Sequence, residues 1–271
     1  MIRGKTAKTA SGDSLEQIKR VAIAAMFSDD ELLEQLVLKG GNAMDVVLQV
    51  NSRASADLDF STARDLDFVK AQKQVERALQ STFERELGYL AFDIRMNQRP
   101  GKMPDDLAAF WGGYLVEFKL ISLERAGALE RDLAQMRREA VKLGEGTRFT
   151  VDISRHEYTE GKQEHELLGY RIYVYSPAMI VSEKIRAICQ QMPEYADIIK
   201  RKGLGNERAR DFVDIEALVN MFKVDLAEER VRHMVQQMFE LKRVPLQLIP
   251  RIAEVRDFHA LGFAAVVDRR P

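Results

Sequence analysis

Apolar positions recur along this chain with two different periods, and the change of period organises it. Leu15, Ile18, Val21, Ala22 and Ala25 fall three and four apart, the spacing of one helix face, so a helix opened by Asp13-Ser14 is expected to run to about Phe27. Ser28-Asp29-Asp30-Glu31 restarts a helix at Leu32, and the apolar run Leu36-Val37-Leu38 breaks at Gly40-Gly41. Residues 43–48 read as a helix, with Asn42 placed to cap it. The period then changes to two. In residues 55–61, Ala56, Leu58 and Phe60 share one strand face, while Ser55, Asp57, Asp59 and Ser61 share the other.

Residues 65–87 form an amphipathic helix. Strands follow at 90–96, 111–121 and 148–154, with a turn at 98–102 and one charged helix at 124–142. Phe149, Val151 and Ile153 alternate with Thr150, Asp152 and Ser154, repeating the pattern of the first long strand. Residues 156–169 are polar, a hairpin or loop, and 170–175 close the sheet. From Ser176 strand signals largely stop. Ser176-Pro177 starts a helix, and helices are expected over 179–192, 207–222 and 226–241, with mixed signals after Pro250. The expected fold is therefore α/β (α+β), a mixed sheet flanked by helices and followed by a helical half. The domain boundary falls between residues 1–175 and 176–271.

The first long strand carries the chemistry. Carboxylates at i and i+2 stand about 7 Å apart on one face, close enough to serve a pair of divalent cations. Mg²⁺ favours such hard oxygen ligands together with substrate phosphates. Gly40 and Gly41 permit backbone torsions that other residues avoid, and a glycine turn running into a helix offers N–H donors to phosphate. Taken alone, Asp57-x-Asp59 also describes an edge strand with a solvated acidic face; the upstream glycines favour the metal reading.

Composition narrows the classes. Of 271 residues, 46% are hydrophobic and 31% charged, an ordinary globular balance rather than a disordered one. A formal net charge of −1 argues against coating nucleic acid by bulk charge while leaving room for a local basic patch. Cys189 is the single cysteine, which excludes an internal disulfide and a thiolate zinc cluster. The histidines 156, 165, 233 and 259 lack metal-ligand spacing. No signal-peptide pattern opens the chain, and no apolar run approaches the ~20 residues needed to span a bilayer. A cytoplasmic protein without a membrane partner is expected.

Gly40-Gly41-Asn42, followed by Arg53-Ala54-Ser55-Ala56-Asp57-Leu58-Asp59-Phe60, resembles the opening of the AbiEii-type nucleotidyltransferase family. These are toxins of bacterial toxin–antitoxin and phage-defence systems, with the MenT toxins among their relatives, and share the DNA polymerase β-like nucleotidyltransferase fold. The family usually has Ser or Thr where Asn42 stands. An amide can cap a helix and contact phosphate, but it cannot act as a hydroxyl. The resemblance covers roughly residues 30–220.

It implies Mg²⁺-dependent transfer of a nucleotide from a nucleoside triphosphate to an acceptor, an RNA such as a tRNA 3′ end, and a cognate antitoxin partner. Asp57 and Asp59 would hold two metal ions, while Gly40, Gly41, Asn42 and Ser55 would line the nucleotide site. By the same resemblance Asp152 is a third metal ligand; an exposed strand acid is the alternative. Lys184 would contact the triphosphate and Asp211 orient it, from segments similar to the family's E-K and R-x-(K/R)-D-x-x-D patterns. Both residues interrupt apolar stripes, so a structural Lys–Asp pair between helices reads equally from the residues. Glu183 and Asp214 read as supporting or solvent-facing. Ser55 either lines a polar face or accepts a phosphate that would compete with the triphosphate.

Lys200-Arg201-Lys202, with Arg208 and Arg210, is either a landing site for RNA phosphates or a solvated loop. Two other functions fit parts of the chain. Glu117-Phe118-Lys119 with Asp93 outlines a metal-dependent nuclease of the PD-(D/E)xK type, which leaves the glycines and Asp57-x-Asp59 unused. A non-catalytic nucleotide-binding regulator would not need Asp57, Asp59, Lys184 and Asp211 together.

Overall fold

In the computed structural model, which describes residues 12–50, 58–142, 146–203 and 205–264, α1 (Gly12–Met26) and α2 (Asp30–Gln35) form where the apolar stripe predicts. Asp29 opens the second helix by accepting the N–H groups of Glu31 and Leu32, the usual work of an N-cap acid. After β1 (Val37–Lys39) the chain departs from expectation. The helix begins at Gly40 itself, as α3 (Gly40–Asn42), and continues into a wide-turned segment, Ala43–Val47. Asn42 has helical torsions (φ −72°, ψ −28°) and makes no cap. Gly40, at φ +69°, supplies the turn out of the strand, a conformation that costs glycine little.

β2 (Leu58–Ser61) is the described part of the expected strand, and α4 (Phe68–Leu87) follows, capped by Asp67 and ended by left-handed Gly88. This helix starts later than expected because Asp65 is engaged elsewhere, with Tyr114 and Arg155. Next come β3 (Tyr89–Arg99), the short α5 (Asp105–Ala108) and β4 (Gly113–Ser122). The single charged helix expected at 124–142 is instead two, α6 (Leu123–Ala128) and α7 (Leu133–Glu139). Glu130 and Arg131 take left-handed torsions between them, and Asp132 caps the second.

β5 (Phe149–Ser154) follows, then a hairpin of β6 (Gln163–Leu167) and β7 (Tyr170–Val174). The remainder is helical: α8 (Pro177–Cys189), α9 (Pro193–Ile198), α10 (Ala209–Phe222), α11 (Glu229–Leu241), two short 3₁₀ turns and α12 (Arg256–Ala260). Ser176 caps α8 as expected.

The seven strands form one mixed sheet in the order β3-β4-β5-β2-β1-β7-β6. The β2–β5 and β1–β7 pairs are parallel and the others antiparallel. β7 therefore does not close the sheet; β6 takes that edge. The main apolar core joins α1, α4 and the sheet to Met179, Ile180, Leu218 and Met238 from the later helices. A separate cluster of Cys189, Met192, Tyr195, Phe239, Val244 and Leu248 lies among those helices. The later helices thus pack on the sheet and also on one another.

Candidate functional site

Strand register builds the acidic side of the site. Lys39 pairs with Asp59 across β1 and β2, and Asp59 pairs with Asp152 across β2 and β5. Neighbouring positions in register share a face, so the two aspartates stand side by side. Both line a cleft of about 510 Å³, together with Lys39, Gly40 and Gly41. Gly40 is pressed against the first of them: a Cβ there would stand 2.6 Å from Asp59 Oδ2. The glycine turn and the carboxylate strand form one contact surface. Asp152 accepts a long hydrogen bond from Arg99 at 3.4 Å. Asp57 and Ser55, with the loop before them, lie outside the described residues.

The same cleft is lined by Lys184 on α8, Arg208 and, on α10, Asp211. Lys184 Nζ donates to Asp211 at 3.0 Å and to Asp214 at 2.6 Å, and Arg208 Nε lies 2.6 Å from Asp211. Burial alone would lower the Lys184 pKa, but Asp211 and Asp214 outweigh it and raise it above the ordinary lysine value. Two cations face two carboxylates here, a balanced group that an incoming polyanion can reorganise. Neither Asp214 nor Glu183 is solvent-facing. Glu183 accepts from Lys39 at 2.6 Å and lies 3.7 Å from Arg186.

Beneath the cleft sits a buried charge network that sequence reasoning missed. Glu157, 4% exposed, lies 2.9 Å from Arg186, 3.2 Å from Lys242 and 3.8 Å from Lys39. Lys242 also donates to the carbonyls of Arg155 at 2.6 Å and Phe110 at 3.3 Å. Burial opposes the charge on Glu157, but Arg186, Lys242 and Lys39 overcome it and hold the carboxyl well below its usual range. Burial dominates at Lys242, bringing its pKa down to about 8 despite Glu157. With Glu183 included, three cations face two carboxylates, one net positive charge under the floor. The only sequence signal was Lys39, a charge at the end of an otherwise apolar strand. Glu157 lies in a polar stretch and Lys242 at a helix end, where charges are ordinary.

The nuclease outline does not assemble. Arg137 holds Asp93 through two 2.6 Å hydrogen bonds, and Arg148 holds Glu117 at 2.7 Å, so guanidinium groups occupy both carboxylates. The basic cluster is also partly committed. Lys200 pairs with Asp106, and Arg201 donates to the carbonyls of Gln190 and Gln191. Among the described residues, no three His, Cys, Asp or Glu side chains gather as a metal cluster. Asp59 and Asp152 nonetheless offer adjacent hard oxygen donors of the kind Mg²⁺ takes.

A family model described as nucleotidyl transferase AbiEii toxin, type IV toxin–antitoxin system, matches residues 21–269. No curated protein matches the chain. Among solved structures, JHP933 from Helicobacter pylori is similar at 17% identity, with 93% of this chain and 99% of that one covered and a TM-score of 0.38. The MenT4 nucleotidyltransferase toxin of Mycobacterium tuberculosis gives 12% identity, coverages of 93% and 92%, and a TM-score of 0.39. An antigenic nucleotidyltransferase-like protein from Paracoccidioides brasiliensis gives 12%, coverages of 91% and 95%, and 0.40.

Proposed function

The chain belongs to the AbiEii nucleotidyl transferase toxin family, and from that premise we propose that it transfers a nucleotide from a nucleoside triphosphate to an RNA hydroxyl, such as a tRNA 3′ end, in the cleft between the sheet and α8–α10. The observation that carries this reading is the contact of Gly40 with Asp59, 2.6 Å from a would-be Cβ to the carboxylate oxygen. It joins a phosphate-cradling turn to a metal-binding strand. The acceptor oxygen would attack the α-phosphate in line, pyrophosphate would leave, and the acceptor's proton would pass to a cleft carboxylate.

Asp59 and Asp152, with Asp57 from outside the described residues, would hold Mg²⁺, which when bound neutralises charge on the phosphates and lowers the acceptor's pKa. The chain's own groups do the rest. Backbone N–H groups of the Gly40-Gly41 turn bind phosphate oxygens, and Lys184 and Arg208 move from their carboxylates to the triphosphate. Asp211 and Asp214 hold those cations ready while the cleft is empty. The net positive network under the floor favours a polyanion above it. A nucleoside triphosphate and an antitoxin are the expected partners. No described helix is long and apolar enough to cross a membrane, and we place the protein in the cytoplasm.

The test incubates the protein with Mg²⁺, total bacterial RNA and each α-labelled triphosphate in turn. Label should enter RNA, and Asp59→Asn should reduce it at least about a hundredfold, since metal and electrostatic terms carry much of such a barrier. Shortened RNA without label, or an Asp59→Asn variant at wild-type rate, refutes the proposal.

A further inference from the structure

A second cavity, of about 480 Å³, adjoins the cleft through consecutive residues: Gln190 lines the cleft and Gln191 the cavity. Its walls are apolar, with Met192, Ala196, Val255 and Phe258, and two nitrogen donors interrupt them. His259 is 2% exposed, with its ring packed by Phe212 and Phe258 at centroid distances of 5.6 and 5.0 Å. Its Nδ1 accepts the backbone N–H of Arg208 at 3.1 Å. The neutral ring must therefore carry its proton on Nε2, and that group is buried without a partner among the described residues. Arg201 spends its terminal nitrogens on the Gln190 and Gln191 carbonyls at 3.1 and 3.2 Å, which leaves its buried Nε–H without a partner among the described residues. Two unpaired donors in one apolar cavity are costly unless something supplies acceptors.

Building on the reading of the cleft as an RNA-acting transferase, we propose that this cavity receives one nucleobase of the acceptor strand, guanine or cytosine. The base's ring acceptors would take the two N–H groups of Arg201 and His259, and its face would lie against Phe258. A base fits where a phosphate does not: its faces are apolar, its acceptors lie in the ring plane, and it brings no charge into walls that would desolvate it. The exposed carboxylate of Asp197 also lines the cavity and would accept from an exocyclic amino group, as acidic side chains do from cytosine. Uracil lacks that group, and adenine lacks the carbonyl.

Arg208 ties the cavity to the cleft. Its backbone N–H holds His259, and its guanidinium lies 2.6 Å from Asp211. A base held here fixes the acceptor strand beside the reacting groups rather than within them.

Nucleosides, which carry no phosphate for the cleft, test the site directly. Guanosine and cytidine should shift the His259 ring resonances, assigned by their loss in His259→Gln, at least tenfold more tightly than adenosine and uridine. Val255→Trp fills the cavity without removing a hydrogen bond. It should abolish the shift and raise the KM for RNA at least tenfold, with the KM for triphosphate unchanged and the unfolding midpoint preserved. Label transfer to RNA with His259 unmoved by any nucleoside overturns the proposal, as does equal response to all four or an unaltered KM for RNA in Val255→Trp. If guanosine shifts His259 but no triphosphate labels RNA, the transferase reading fails and the base site stands.

Discussion

Replacing Glu157 by Gln keeps the side chain's volume and removes the shared carboxylate of three buried cations. Lys39, Arg186 and Lys242 lie 3.8, 2.9 and 3.2 Å from it, and only Glu183 would remain to balance them. Breaking a buried ion pair from one side typically costs about 3–5 kcal/mol, because the partner charge stays buried. Lys242 provides an escape. Its pKa in the folded protein is already down to about 8 against 10.5 in the free side chain, and Glu157 is the first-named influence holding it that high. Without Glu157 it falls further. Stability rises with pH wherever the unfolded chain binds more protons, so the wild type gains stability between about pH 8 and 10.5, and the variant begins gaining at lower pH. The gap between them should therefore shrink with rising pH, by up to about 1.4 kcal/mol per unit, and level off above pH 8. Urea unfolding at pH 6 and pH 8.5 reads this directly. A loss below about 1 kcal/mol at pH 6, or a gap that holds constant or widens toward pH 8.5, refutes the electrostatic account.

Gly40→Ala should lower the melting temperature by about 2–4 °C, the effect of roughly 1 kcal/mol for left-handed alanine, and cut nucleotide transfer at least tenfold by displacing Asp59; wild-type turnover would refute the role given to that contact. Lys184→Ala and Asp211→Ala should each depress transfer about a hundredfold, and the double variant should fall less than tenfold further, as groups in one network do. Unstable single variants with full activity per folded molecule would make the pair merely structural. Cys189, whose thiol burial pushes up to about 12, should not react with Ellman's reagent at pH 8 until the protein is unfolded; titration of one thiol in the native protein would contradict its burial.

The elements that periodicity identifies are those whose side chains meet the main core. α1, α4, β5, α8 and α10 all lie within a few residues of their expected bounds because their apolar stripes are what pack. Failures cluster where local backbone chemistry decides. The apolar and charged spacing of residues 124–142 continues through a break that only the left-handed torsions of Glu130 and Arg131 create. α5 and α9 are too short, at 4 and 6 residues, to show a stripe. Asn42 looks like a cap by residue type, yet Gly40 turns the chain two residues earlier and draws Asn42 into the helix.

The site divides along the same line. Asp59 and Asp152 were readable because a strand's alternation fixes which face a residue occupies, and register then sets the two side by side. Lys184 and Asp211 were readable because a charge within an apolar stripe needs a partner. Glu157, Arg186 and Lys242 carry no such mark. Their positions, spread over 86 residues of sequence, are united only by the folding of α8 and α11 onto the sheet. Nor does their number follow from local need, since one carboxylate would satisfy one cation. Three cations on two carboxylates instead leave the cleft floor one positive charge in excess. That excess has a use only if the cleft receives an anion, so the least legible part of the chain independently favours a polyphosphate above it.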